Sequence, residues 1–249
     1  MSVELTLMLW AMAVFVFSGT VKGMVGVGFP VMAMSILTLF MEPVLAIALV
    51  SIPILVTNAW QAFQAVDYRG TFRRFWPLIV TMMIGTVIGG AAVTHVNANM
   101  LLGAVGAVAV MFSVVSVMSP NLNIAPIRER QIGVWTGMGT GIIGGLTTVH
   151  GPPVIMYLLA LNLKKDAFVG AVGLVWFCAS IPMVATYLYQ GVLGPYELKW
   201  SLIAIGPSLL GLYIGERLRA RINQELFKKS LVLFLFVVGL NLLRRSIFN

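Results

Sequence analysis

A cluster of hydrogen-bond donors that could bind a ligand surrounds a histidine in the second half of this chain. His150 follows two threonines and precedes the sequence Gly-Pro-Pro. Threonine and imidazole groups donate hydrogen bonds, and the free N–H groups at a helix start favour an anion. Proline is well placed at a first helical position, so a helix is expected to begin here. The segment predicts a small-anion site formed by Thr147, Thr148, His150 and Gly151, although a histidine in a structural surface loop is the alternative.

A second glycine-rich segment, SGTVKGMVGVGFP, lies near the start of the chain and ends in Pro30. Glycine lets the backbone turn or approach a ligand closely, so Gly26 and Gly28 are candidate binding residues. Lys22 has two interpretations. In the first, which we favour slightly, its ammonium group reaches the cytoplasmic surface of the membrane. In the second, it provides the cation that binds an anionic substrate.

A polar stripe runs along the apolar segment that follows. Its residues fall at helical spacing and are Thr57, Asn58, Gln61 and Gln64. A later segment repeats the stripe as Thr186, Tyr187 and Gln190. Polar groups inside a bilayer need partners, so such a stripe faces a cavity or another helix. Substrate binding is predicted for Thr57, Asn58, Gln61, Tyr187 and Gln190, and hydrogen bonding between helices is the alternative.

Catalytic motifs are absent from the sequence. It contains no HExxH, GxSxG or Walker loop and no paired aspartates within an apolar segment. The single cysteine, Cys178, excludes an internal disulfide and a multi-cysteine metal site. We assign no role to His95, which falls in a joint between segments. The sequence therefore predicts a protein that is not an enzyme and that binds no cofactor and no metal.

Composition predicts that membrane helices hold these residues. Hydrophobic residues make up 59% of the 249 residues and charged residues 10%, and the mean hydropathy is +0.98. A soluble domain carries about 25% charged residues, so this composition excludes one. The formal charge of +8 is spread singly through the joints, which argues against nucleic-acid binding. We predict ten apolar segments, at residues 4–21, 29–40, 43–66, 75–94, 98–118, 131–143, 152–162, 166–189, 197–215 and 227–243. The two short ones, 29–40 and 152–162, are predicted half-helices or arms of re-entrant hairpins.

An internal repeat relates the two halves. Three blocks recur in the same order: Gly19, Gly23 and Gly26 with Gly137, Gly141 and Gly144; IPILVTNAWQ with IPMVATYLYQ; and Gly85, Gly89 and Asn97 with Gly211, Gly215 and Asn223. Five segments in each half is an odd number, so the second copy enters the membrane from the opposite side. The prediction is an all-α integral membrane protein of two inverted repeats, at residues 1–120 and 131–249, joined by a cytoplasmic loop at 121–130.

Basic residues give the orientation. Alternating sides from the N-terminus places most of the 16 lysines and arginines on one side. Because basic loops stay in the cytoplasm, the N-terminus is predicted outside the cell. Arg244 and Arg245 fall on the outer side by this count, and a re-entrant last segment would remove the exception.

The chain resembles the sulfite exporter TauE/SafE family, also called the toluene sulfonate uptake permease family. The resemblance covers nearly the whole sequence and rests on SGTVKGMVGVGFP, IPILVTNAWQAF and TGIIGGLTTVHGPPVIMYLL. It implies a multi-pass transporter of the bacterial inner membrane for organosulfonates, sulfite or related sulfur oxyanions. It further implies alternating access driven by an ion gradient, with a proton or sodium as coupling ion.

Other functions stay open at this stage. A helix N-terminus does not distinguish a sulfonate from a carboxylate, so a carrier of another small anion is the first alternative. A non-transporting membrane assembly partner is the second, and an intramembrane enzyme is the third. The predicted partners are a small anion and the lipid bilayer, with no nucleic acid.

Overall fold

The computed structural model of the chain describes residues 3–63, 67–118, 124–163, 165–219, 221 and 224–248. Across these residues the protein consists of helices, with no strand. The helices are α1 (Val3–Val25), α2 (Phe29–Leu37), α3 (Pro43–Phe63), α4 (Tyr68–Ala92), α5 (Ala98–Met118), α6 (Pro126–Thr147), α7 (Gly151–Ala160), α8 (Lys165–Tyr189), α9 (Pro195–Ile203), α10 (Ile205–Leu218) and α11 (Gln224–Phe248). Each predicted apolar segment corresponds to one helix, except that residues 197–215 divide into α9 and α10. The all-α membrane fold is therefore confirmed.

Six helical stretches among the described residues are long and apolar enough to cross a membrane. They are Thr6–Val25, Pro43–Phe63, Tyr68–Ala92, Ala98–Met118, Gly170–Tyr189 and Pro195–Leu218. In contrast, α2 has 9 residues and α7 has 10, so neither could span a bilayer. Both short helices were expected from the proline starts and the short apolar runs.

Five close helix pairs join one half of the chain to the other; four of them fall into two kinds, and α4 with α8 is the fifth. Two of them, α1 with α10 and α4 with α6, pack through glycines and run parallel. A methyl group added at Gly141 would lie 2.9 Å from the Thr86 nitrogen and 3.0 Å from the Gly85 Cα. Backbones this close leave no room for a Cβ, which explains the glycine spacing. The other two pairs, α3 with α8 and α5 with α11, run antiparallel.

The glycine contacts correct the register of the predicted repeat. Gly19 packs on Ser208, Gly211 and Leu212, and Gly141 makes the same kind of contact with Met82, Gly85 and Thr86. In the same way Gly23 corresponds to Gly145. The sequence alignment had matched Gly19 with Gly137, which is one helical turn too early. The triplet Gly137, Gly141 and Gly144 reproduces the glycine spacing, but the packing aligns Gly19 and Gly23 with Gly141 and Gly145, so that Gly26 corresponds to Thr148.

The helix breaks are also shorter than predicted, and they are equal in length. Residues 26–28 separate α1 from α2, and residues 148–150 separate α6 from α7. From sequence spacing, with four steps from Gly26 to Pro30 and eight from Gly144 to Pro152, the second connection is predicted to be the longer loop. That prediction is wrong because α6 continues through Gly144 as far as Thr147. Both breaks use a left-handed residue to end the preceding helix: Gly26 has φ 87° and Thr148 has φ 65°.

Arg245, one of the two basic residues that the predicted orientation leaves as exceptions, has a structural role. It lies in the last turn of α11, which is one continuous helix of 25 residues rather than a re-entrant segment. Its guanidinium group donates a 3.1 Å hydrogen bond to the carbonyl oxygen of Thr38, at the C-terminal end of α2. A cation at a helix C-terminus is favourable. Arg245 therefore holds the end of the short helix α2 in place.

Candidate functional site

The two helix breaks meet at a narrow cavity in the middle of the protein. Both halves contribute to its walls, and the lining residues are Gly28, Pro30, Val31, Ile54, Asn58, Phe112, Thr148, His150, Gly151 and Trp176. Its volume is about 10 Å³, room for about one water molecule. We call it the central cavity. Of the predicted site residues, the structure brings Gly28, Asn58, Thr148, His150 and Gly151 to its wall.

Lys22 lies directly behind this wall, and the prediction that it reaches the membrane surface is wrong. Its side chain is only 2% exposed. The ammonium group donates hydrogen bonds to Asn58 Oδ1 at 2.6 Å and to Thr57 Oγ1 at 3.2 Å. Lys22 occupies the last turn of α1, which faces α3 instead of lipid. Both acceptors are neutral, so the ammonium group has no acidic partner in this contact.

Asn58 connects the two halves. Its Oδ1 accepts the bond from Lys22, and its Nδ2 donates to Ser180 Oγ at 3.0 Å on α8. Ser180 in turn donates to the carbonyl oxygen of Trp176 at 2.6 Å. The result is a continuous polar chain from α1 through α3 to α8, running beside the central cavity.

Gln61 continues the stripe at the first break. Its Nε2 donates to the carbonyl oxygen of Gly26 at 3.1 Å, while its Oε1 is buried without a partner. The positive φ of Gly26 turns this carbonyl toward α3, which gives Gly26 an indirect role. Gln64, the fourth member of the predicted stripe, lies outside the described residues.

At the second break, His150 is 4% exposed and its Nε2 lies 3.1 Å from Thr86 Oγ1 on α4. The imidazole ring lies flat against Gly144, where any side chain would collide with it. Thr148 is fully buried, and its hydroxyl oxygen has no hydrogen-bond partner within the protein. A buried polar group without a partner costs about 1–3 kcal/mol, so the Thr148 hydroxyl is an unfavourable group in this arrangement of the protein alone.

Three predicted site residues have structural contacts away from the cavity. Thr147 donates to the Ile143 carbonyl oxygen at 2.8 Å and accepts from the Val149 nitrogen, so it stabilises the end of α6. Tyr187 donates to the Gly145 carbonyl oxygen at 2.5 Å, which ties α8 to α6. Gln190 bonds to Ala91 at the far end of α8. The alternative of hydrogen bonding between helices fits Tyr187 and Gln190, whereas the contacts of Thr147 stay within α6 and the break that follows it.

The helix starts offer fewer backbone donors than expected at the second break. The first three N–H groups of a helix have no partner within it. In α7 two of the three positions are Pro152 and Pro153, which carry no N–H, so Gly151 alone supplies one. In α2 Phe29 and Val31 both supply one. Neither helix has a side-chain cap.

Sequence reasoning missed Trp176, which is the second unpartnered donor in the wall. Its side chain is 5% exposed, and its indole Nε1 is buried without a hydrogen-bond partner. Indole nitrogen is a donor only. Nothing in the sequence distinguishes this tryptophan from an ordinary core aromatic residue. Its position one helical turn before Ser180 becomes informative only once Asn58 is known to reach that serine.

The wall of the central cavity is thus rich in donors and free of acids. The Thr148 hydroxyl and the Trp176 indole N–H have no hydrogen-bond partner, and helices α2 and α7 begin at the edge of the cavity. Lys22 bonds to the lining residue Asn58. No aspartate or glutamate is among its lining residues. Over the described part of the chain, no cluster of three metal-ligating side chains forms. Such a wall suits a small anion and repels a cation.

Comparison with known proteins gives one assignment. The family model described as Sulfite exporter TauE/SafE matches residues 11–242. No curated protein and no solved structure matches the chain. The matched range includes both helix breaks, the polar chain and every lining residue of the central cavity.

Proposed function

This chain belongs to the sulfite exporter TauE/SafE family, and we propose that it is a secondary transporter that moves a small anion through the central cavity by alternating access. The family is one of membrane transporters for sulfite and related sulfur anions, and the six apolar spans make the protein multi-pass. The proposed substrate is an organosulfonate, sulfite or a related sulfur oxyanion. The proposed location is the bacterial inner membrane, with the N-terminus outside and a proton or sodium gradient as driving force.

The observation that carries this proposal is the chemistry of the cavity wall. Sulfonate and sulfite groups present three oxygens and a negative charge, and they need several donors at once. Thr148 and Trp176 provide two buried groups without partners, and the buried Lys22 ammonium group bonds to two neutral oxygens, those of Thr57 and Asn58. Leaving the Thr148 and Trp176 groups unpaired is unfavourable, and an anion in the central cavity would accept hydrogen bonds from both.

Alternating access is supported by the way the halves interlock. We propose that the halves are inverted repeats, related by a two-fold axis in the membrane plane. Such an axis turns α1 with α10 into α6 with α4, and these two parallel pairs have matching glycine contacts. It also requires helices that pair across it with their own counterparts to run antiparallel, as α3 with α8 and α5 with α11 do. Inverted repeats with broken helices at the midplane are typical of secondary transporters.

The proposal is tested by transport in proteoliposomes. Uptake of sulfite, thiosulfate, sulfoacetate, taurine and lactate is measured with and without proton and sodium gradients. We expect saturable uptake of at least one sulfur oxyanion, driven by one of the two gradients. Saturable lactate uptake alone would make the protein a carboxylate carrier. If none of the five is transported or bound, the protein is not a small-anion carrier.

Trp176→Phe tests whether the central cavity is the binding site. The substitution keeps an aromatic ring and removes only the unpartnered N–H. A hydrogen bond to a charged group contributes about 1.5–3 kcal/mol, so apparent affinity should fall at least about tenfold. Trp135→Phe is the matched control, since Trp135 is 72% exposed on α6. Equal affinities in the two variants would place the anion elsewhere.

A further inference from the structure

A second cavity, of about 210 Å³, lies between the early turns of α4 and α6 and the side of α7. Its lining residues include Arg74, Trp76, Glu129, Arg130 and Tyr157, and none of its lining residues borders the central cavity. Trp76 is 44% exposed, the Arg74 side chain is 46% exposed, and Arg130 is exposed as well. The cavity therefore opens at the surface of the protein. We call it the α4–α6 cleft.

Three side-chain contacts hold the walls of the α4–α6 cleft in place. The Arg74 guanidinium group donates to both carboxylate oxygens of Glu129, at 2.7 Å from Nε and 3.0 Å from Nη2. The guanidinium group of Arg130 lies over the Trp76 ring, 5.2 Å from its centroid. Both contacts join α6 to α4. The Tyr157 hydroxyl joins α7 to α6 by donating to the Glu129 carbonyl oxygen at 3.2 Å.

The α4–α6 cleft carries a net positive charge, because two arginines and one glutamate are its charged lining residues. Glu129 neutralises Arg74, but Arg130 forms no ion pair with a described carboxylate and rests on the neutral ring of Trp76. The bonds to Glu129 also leave the Nη1 group of Arg74 unused. N–H groups of both arginines are thus available to an anion, and their planar arrangement suits the oxygens of a phosphate group.

The position of the α4–α6 cleft along α4 places it at the edge of the bilayer. From Phe75 to its end α4 has no charged residue, and its three arginines all come before Phe75. Tyr68, Phe72 and Trp76 are exposed and follow one another at one-turn spacing, so they form a single row on the outer face of α4. Tyrosine and tryptophan are enriched at the level of lipid headgroups. The cleft therefore opens toward headgroups and not toward the central cavity.

The internal repeat offers a comparison at the opposite end of the fold. In the register given by the glycine contacts, the positions equivalent to Arg74 and Arg130 are Trp200 and Met8. Neither of these carries a charge. The pair of arginines thus belongs to one end of the molecule only, the end next to the loop at 121–130 that is predicted to be cytoplasmic.

We propose that the α4–α6 cleft binds the phosphate group of an anionic phospholipid. Arg130 and the Nη1 group of Arg74 donate to the phosphate oxygens, and the acyl chains follow the apolar outer face of α4. Basic pockets between transmembrane helices are a known mode of headgroup binding. The exposed aromatic row favours a lipid over a soluble anion, because it continues from the cleft into the bilayer. This inference is independent of the anion proposed for the central cavity.

The experiment counts lipids bound to purified, delipidated protein by native mass spectrometry. The probes are palmitoyl-oleoyl phosphatidylglycerol, phosphatidylcholine with the same acyl chains, and inorganic phosphate. A basic side chain near an anionic headgroup strengthens binding about fivefold. We expect one phosphatidylglycerol molecule to bind at least about fivefold more tightly than phosphatidylcholine. Inorganic phosphate at equal concentration should not displace it, because phosphate lacks the acyl chains. An absent preference for phosphatidylglycerol, or displacement by phosphate, would overturn the inference.

Arg130→Gln should lower the affinity for phosphatidylglycerol about fivefold and leave that for phosphatidylcholine unchanged. Arg128→Gln is the matched control. Arg128 is also exposed on α6, but it does not line the cleft, and two positions along a helix place it on the opposite side. Its substitution removes the same charge and should leave the affinity within about twofold. Equal losses in the two variants would indicate general attraction to charge and would also overturn the inference. Transport plays no part in these measurements, so the proposed function is tested separately.

Discussion

The break at residues 26–28 and the break at residues 148–150 have the same length and equivalent packing, yet they carry different groups. In the first, the left-handed residue is glycine, and the basic group is Lys22 from the preceding helix turn. In the second, the left-handed residue is Thr148, and the basic group is His150 within the break itself. The glycine contacts place Gly144 at the position equivalent to Lys22.

This comparison shows how a repeated scaffold can build an asymmetric site. The first half has Lys22 on helix α1 and glycine in the break. The second half has Gly144 on helix α6 and the ring of His150 in the break. The imidazole of His150 fills the space that Gly144 leaves open. One half thus carries a lysine side chain behind the cavity wall and the other an imidazole ring in the wall, so the two halves give the central cavity different surroundings.

The largest expected effect is in cysteine labelling, which shows on which side of the membrane equivalent joints of the two halves lie. In a Cys178→Ser background, Asn97→Cys and Gly194→Cys should react with a membrane-impermeant thiol reagent in intact cells. Arg221→Cys should react only after permeabilisation, because the joints after α4 and α10 lie on opposite sides of inverted repeats. Asn97 and Arg221 are both exposed, so access is not limiting. Labelling of these two from the same side would exclude inversion.

Lys22→Met sharpens the difference in charge between the breaks. Methionine keeps the length of the side chain and removes the ammonium group. We expect the apparent affinity for the transported anion to fall about 10- to 100-fold, the range for a hydrogen bond to a charged group. Lys199→Met, at an exposed position on α9, is the control. An unchanged affinity in folded Lys22→Met protein would leave Lys22 with the single role of tying α1 to α3.

The smallest effect concerns backbone strain. Gly26 has φ 87°, and a methyl group added there would meet nothing within 4 Å. Gly26→Ala therefore isolates the cost of a left-handed residue, roughly 1–2 kcal/mol of stability. Gly139→Ala is the matched control, since it also has open space but lies within α6, where alanine is favoured. Thermal unfolding in detergent should show a lower midpoint temperature for Gly26→Ala than for the unaltered protein. Gly139→Ala should show no decrease. Equal midpoints would mean that the first break adapts freely.

Much of the fold could be predicted because membrane helices are recognisable from their long apolar segments. The ten apolar segments, the proline starts of the two short helices and the glycine faces all follow from the sequence. The exact register of the repeat did not, since the triplet Gly137, Gly141 and Gly144 matches the spacing in α1, whereas the packing uses Gly141 and Gly145 with Thr148 in place of a third glycine. Nor did the length of the second break, because glycines at 144 and 145 are tolerated inside a closely packed helix.

The site was only partly predictable, because the sequence does not show in which direction each side chain points. Asn58, Thr148 and His150 stood out as polar residues among apolar ones, and the structure places them at one cavity. Lys22 was ambiguous because a lysine near a helix end can reach either the surface or the interior. Trp176 gave no signal, since its ring is apolar and its one donor matters only when it lies unpartnered. Tyr187 was expected in the site and instead bonds to backbone.

The close pairing of α1 with α10 has a consequence for biosynthesis. Gly19 and Gly23 on α1 fit only against the backbone near Gly211 and Gly215. The ribosome makes roughly 5–20 residues per second, so α1 waits on the order of 10–40 s in the bilayer before its partner exists. During that time its glycine face is open to other helices. The first half alone cannot bury this face, so the native fold is reached only when the last third of the chain has been inserted.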